Sequence, residues 1–95
     1  MQVDVDISAD GGSPERAMRR ILCVFARFAP DVLTTRLRVA PGPGGRVLLT
    51  AQVTFVGGGG LALQAEDAAS VAATDHFIER LGRAVARRLS TRGRR

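Results

Sequence analysis

Three stretches of this chain alternate apolar and polar residues, and that pattern restricts the fold more than any other feature. Gln2 to Ser8 sets Val3, Val5 and Ile7 against Gln2, Asp4, Asp6 and Ser8. Val32 to Ala40 sets Leu33, Thr35, Leu37 and Val39 against Thr34, Arg36 and Arg38. Arg46 to Val56, the longest, sets Val47, Leu49, Ala51, Val53 and Phe55 against Thr50, Gln52 and Thr54. A period of two marks strands with one dry and one wet face. A sheet made of such strands needs covering on one side only, so the chain must also supply amphipathic helices.

Two helical patterns do so. Asp10-Gly11-Gly12 breaks the first strand. Ser13 then reads as an N-cap, with Pro14 at the first helical position and Glu15 in the first turn. Met18, Ile21, Leu22, Phe25 and Phe28 make the apolar stripe of this helix, and Pro30 ends it. The second helix is expected from about Ala68 to Ser90, with Val71, Thr74, Ile78, Leu81, Val85 and Leu89 in one stripe. Pro41 to Gly45 and Gly57 to Gly60 are turns by composition, and Leu61 to Glu66 is a short fourth strand.

The resulting order, β-α-β-β-β-α, predicts an α+β two-layer sandwich. Its four-stranded sheet is mostly antiparallel, with both helices packed on one face. The first strand joins the second in parallel through a right-handed crossover. A chain of 95 residues makes one domain with a modest core. Residues 1–91 are that domain, and 92–95 are a basic tail or linker stub.

The charge is carried by one residue type. All 14 basic residues are arginine, and the net charge is +5. Arg92, Arg94 and Arg95 lie in the tail, and without these three the net charge is +2. On the second helix, Arg80, Arg83 and Arg87 fall opposite the apolar stripe, beside His76. On the first, Arg16, Arg20 and Arg27 do the same, with Arg19 on the flank. Two helices side by side would then present arginines on one outer surface, which is chemistry suited to phosphate.

At this point the residues resemble the ribosome hibernation-promoting factor and ribosome-associated inhibitor family. The resemblance rests on the element order, on Ala72-Ala73-Thr74-Asp75, and on Ile78-Glu79-Arg80-Leu81-Gly82-Arg83. The opening Met1-Gln2-Val3 and the Ala17-Met18-Arg19 helix start add to it. It covers roughly residues 1–90. There are departures: Ala69-Ser70-Val71 stands where the family usually reads Asp-Met-Tyr, and the chain has no lysine or tyrosine.

The resemblance implies binding to rRNA of the small ribosomal subunit, occlusion of the mRNA and tRNA path, and translational inhibition by holding idle ribosomes inactive. It implies Arg19, Arg80, Arg83 and Arg87 as RNA contacts. Arg16, Arg20 and Arg88 join them from helix geometry alone.

Other function classes have less support. His76 is the only histidine and Cys23 the only cysteine, so no Cys/His metal cluster is expected, and neither is a cofactor. Cys23 reads as a half-buried filler, and a single cysteine suits a reducing, cytoplasmic setting. Gly57 to Gly60 lacks the Gly-Lys-Ser/Thr ending of a phosphate-binding loop. No enzyme, small-molecule substrate or membrane association is expected. Asp75 and Glu79 read as helix acids, Glu79 pairing with Arg83 and Asp75 capping the helix or orienting it against the sheet. Two alternatives stay open: a non-catalytic protein-interaction module and a general double-stranded RNA-binding domain. A homodimer through a sheet edge stays open as well.

Overall fold

The computed structural model describes residues 1–93, with the side chains of residues 1–91. Its elements are β1 (Gln2–Ile7), α1 (Pro14–Val24), β2 (Val32–Pro41), β3 (Arg46–Phe55), β4 (Gly60–Ala68) and α2 (Val71–Gly93). The sheet order is β1-β2-β3-β4, with β1 parallel to β2 and the other pairings antiparallel. The expected α+β sandwich is therefore present. α1 lies over β1, and α2 lies over β3 and β4.

Alternation sets the core. Leu37, Val39, Val47, Leu49, Ala51, Val53 and Phe55 are all buried on the covered face of β2 and β3. Ile21 and Phe25 of α1 and Ile78, Leu81 and Val85 of α2 close over them. Each large apolar side chain buried in this way contributes about 1.5–3 kcal/mol. Local signals fix the helix starts. Ser13 Oγ accepts from the Arg16 N–H at 3.1 Å, and Ser70 Oγ accepts from the Ala73 N–H at 3.0 Å.

Several expectations need correction. The buried face of α1 is Ala17, Ile21 and Phe25, while Met18 and Leu22 are 36% and 48% exposed on its flank. α1 also stops at Val24, and a short 3-10 turn at Ala29–Asp31 makes the link to β2. Leu33 is 56% exposed because the β2–β3 register shifts between Val32 and Thr34. The bulge buries Val32 in its place. Phe77, absent from the expected stripe, is buried. Cys23 is exposed, not half-buried. β4 runs on to Ala68, so α2 begins at Val71, later than expected. Arg94 and Arg95 of the expected tail lie outside the described residues, as does the side chain of Arg92.

The helices meet at close range. A Cβ added to Gly82 of α2 would collide with Val24 Cγ1 of α1. Two ion pairs brace the same seam. Arg16 donates to both carboxylate oxygens of Asp75, at 2.7 and 2.9 Å, and Arg20 donates to Glu79 at 2.6 Å. The first is a forked, charge-assisted contact. In the second, Arg20 Nε is shielded from water without a partner, which makes it the weaker brace. Hydrogen bonding from Arg16 holds the Asp75 carboxyl below its ordinary pKa, against a smaller opposing effect of burial.

Two predictions follow from this seam. Gly82→Ala gains about 1 kcal/mol of helix propensity but overpacks Val24, so it should destabilise the fold by a net ~1–2 kcal/mol. The same change in a Val24→Ala background should be neutral or stabilising, as urea midpoints would report. The second concerns pH. A depressed folded-state pKa means that the stabilisation by Asp75 is present above the unfolded value of about 3.9 and is lost as pH falls through the folded value. The stability gap between the native chain and Asp75→Asn should therefore narrow below about pH 4, measured by denaturant midpoints across the acid range.

Candidate nucleic-acid interface

The seam fixes how α2 is turned, because Asp75, Glu79 and Gly82 must all face α1. Ile78, Leu81 and Val85 face the sheet. At 100° per residue, Ala84 then falls on the flank away from α1, above the β4 side of the sheet, and Arg80 lies between that flank and the outward side. Arg83, Arg87 and His76 point outward, on the side opposite the core. Arg80, Arg83 and Arg87 are all exposed.

On α1 the same construction turns Arg16 and Arg20 toward α2 and leaves Arg19 directed outward and exposed. Arg16 and Arg20 therefore do not stand beside Arg19 as further free cations, since each is engaged by an acid from the other helix. Among the described residues, no ion pair engages Arg19, Arg80, Arg83 or Arg87. Arg88 sits elsewhere, with its guanidinium 5.8 Å from the centroid of the Phe55 ring, at the end of β3. Arg27, just beyond α1, stacks on its neighbour Phe28 at 5.5 Å. The outer helical layer is thus divided into a neutralised seam and a basic far side carried mainly by α2.

The pairing of Arg16 and Arg20 was not readable from the sequence, where 59 residues separate each arginine from its acid. Glu79 was expected to pair with Arg83, but it is taken by Arg20. Asp75 neither caps its helix nor orients it against the sheet; it is held by Arg16 of α1, so the neighbouring helix is its reference surface.

The wet face of the sheet has a different character. Cross-strand neighbours pair there: Asp4 with Arg36 at 3.7 Å, Asp6 with Arg38 at 3.6 Å, and Glu66 with Arg46 at 3.6 Å. Gln52 and Gln64 complete a shallow, open groove with Asp4, Asp6, Arg36 and Arg38. Arginines on this face are balanced one for one by acids, and no aromatic ring stands ready to stack a base. Among the described residues, no group of three or more His, Cys, Asp or Glu side chains is placed to hold a metal ion. Nor, among these residues, is any helix long and apolar enough to cross a membrane.

No family model matches the chain, and no curated protein does. Solved structures do. The N-terminal domain of Protein Y from Thermus thermophilus superposes with a TM-score of 0.69 at 21% identity, covering 92% of this chain and 98% of that one. A ribosomal subunit interface protein from Coxiella burnetii superposes with a TM-score of 0.67 at 13% identity, covering 95% of this chain and 99% of that one. At these identities the likeness is one of fold. The sandwich that the family resemblance implied is the fold this chain shares with both.

Proposed function

We propose that this chain is a ribosome-associated hibernation factor. It seats the basic side of its helical layer on phosphates of small-subunit rRNA and fills the path of mRNA and tRNA. The observation that carries the reading is the sorting of its arginines. Those of the sheet and the helix seam are matched by acids, whereas Arg19, Arg80, Arg83 and Arg87 are exposed and have no ion pair among the described residues. One fold neighbour is a ribosomal subunit interface protein, which supports the same assignment.

The mechanism is occupancy without chemistry. Each free guanidinium can donate two parallel hydrogen bonds to a phosphate. Selectivity comes from the fit of a rigid two-layer body into a structured RNA cleft. Arg19, Arg80, Arg83 and Arg87 are the principal contacts. Arg88 adds charge at the end of α2, and Arg16 and Arg20 act mainly by holding the helices in place.

Sedimentation with ribosomal subunits through a sucrose gradient tests the proposal. The native chain should co-migrate with the small subunit, and Arg80→Glu/Arg83→Glu/Arg87→Glu should not. Absence of binding by the native chain at about 50 mM salt would refute the reading. Four phosphate contacts imply that affinity falls about 10²-fold between ~50 and ~200 mM salt. Arg19→Ala should weaken binding and leave stability unchanged. Arg16→Ala should do the reverse, lowering the urea midpoint more than the affinity.

A further inference from the structure

The four-stranded sheet has two open edges, and they differ in what they can pair with. β1 spans six residues and carries Asp4 and Asp6, which would lie against each other if two copies paired there. β4 spans nine residues and has neither proline nor lysine. The Phe55 N–H donates to the Gly59 carbonyl at 3.1 Å, which fixes the alternation of the β3–β4 ladder. Leu61, Leu63, Ala65 and Asp67 therefore turn their main-chain groups toward β3, and Gly60, Ala62, Gln64 and Glu66 turn theirs outward. On the covered side, Leu61, Leu63 and Ala65 remain half-buried. The two ends of that side carry opposite charges. Asp67 stands at the C-terminal end, where its Oδ1 accepts from the Ala68 N–H at 2.7 Å. At the N-terminal end, Arg88 of α2 reaches over the β3–β4 turn. Its guanidinium is 5.8 Å from the Phe55 ring centroid, and its Nη2 is 3.3 Å from where a Cβ on Gly59 would stand. Among the described residues, neither Asp67 nor Arg88 has an ion-pair partner.

A two-fold axis exchanges the ends of an antiparallel strand pair, so an edge that runs from base through apolar side chains to acid is complementary to itself. The register follows from the outward groups, which must face one another. With Leu63 opposite its own copy, Ala62 faces the partner's Gln64 and Gly60 faces the partner's Glu66, so all four outward residues are bonded. Leu61 then packs against the partner's Ala65, and Asp67 falls opposite the partner's Gly59, beside the partner's Arg88. Glu66 meets a glycine, and no acid faces an acid. Centring the pair on Gln64 instead sets Leu61 against the partner's Asp67. It also calls on the Ala68 N–H, which Asp67 already engages. On α2, the residue that looks along this flank is Ala84, which is small enough to leave room for the copy. Arg80, turned partly to that side, is exposed, and its repulsion across the axis is screened at ordinary salt. We infer that β4 is a homodimer edge, joining two sheets into one through Gly60, Ala62, Gln64 and Glu66, with Asp67 of each copy paired to Arg88 of the other. The inference does not rest on the RNA reading, in which Arg88 has a minor part.

Sedimentation equilibrium of the full chain, from about 10 μM to about 1 mM, tests the inference. A reductant is present throughout, because the exposed Cys23 could otherwise cross-link two chains. The expected result is a reversible monomer–dimer equilibrium within that range. Gln64→Pro removes an outward N–H while sparing the β3 ladder, and should weaken the dimer about tenfold or more. Asp67→Arg and Arg88→Asp should each weaken it comparably when alone, because either change sets like charges opposite each other at both ends of the edge. An equimolar mixture of these two variants should recover the native affinity, since each arginine then meets an aspartate at both ends. A native chain that stays monomeric up to about 1 mM would overturn the proposal. So would a dimer that survives Gln64→Pro, or a mixture that fails to recover. The RNA reading is tested separately, because Gln64→Pro should leave ribosome binding intact.

Discussion

A sheet with one apolar face has to be covered, and this chain has only two helices with which to cover four strands. The buried row of Leu37, Val39, Leu49, Val53 and Phe55 is what those helices must exclude from water. That demand draws α1 and α2 together until Gly82 is the only residue that fits opposite Val24. It also sets their rotation, since each helix can turn only one stripe toward the sheet. The other directions on each helix are then assigned: one toward its neighbour, one outward and one toward an open edge of the sheet.

The distribution of charge follows from that assignment. Positions one turn apart on α1 meet positions one turn apart on α2, so Arg16 finds Asp75 and Arg20 finds Glu79. Along the sheet, direct cross-strand neighbours give Asp4–Arg36 and Asp6–Arg38. The highly exposed pairs of the sheet face add little stability. Their consequence is subtractive: they remove arginines from the free basic surface and leave it concentrated on α2.

Alternation and capping made most of the fold legible. Val47 to Phe55 alternates in all but Leu48, an apolar residue at a wet-face position, and pairs along nearly its whole length, and Ser13-Pro14-Glu15 starts α1 where the cap signals put it. What escaped depended on contacts that a linear pattern does not contain. Met18 and Leu22 belong to a stripe wider than the groove α1 occupies, so the sheet buries Ala17 in preference. Leu33 continues the alternation, but a bulge against β3 turns it outward. Ala68 was read as the start of a helix, and pairing with Arg46 keeps it in β4. In the candidate site, helix periodicity found Arg80, Arg83 and Arg87 as an exposed set. It could not separate Arg16 and Arg20 from Arg19, because the difference lies in acids on another element.

That separation bears on how a polyanion would engage the protein. A phosphate approaching the seam must displace the Asp75 carboxylate from a two-pronged contact and leave that charge beside a second anion. A phosphate approaching Arg83 or Arg87 displaces only water. Arg80 and Arg87 lie two turns apart, about 10.5 Å along the axis, with Arg83 between them on the outward side. Long, flexible guanidinium side chains at that spacing can follow a phosphate backbone without any rearrangement of the helix. The seam therefore acts as the rigid part of the interface and the free side of α2 as its adaptable part. Each depends on the other: the buried stripe of Ile78, Leu81 and Val85 and the seam with α1 together fix the rotation from which α2 presents its arginines.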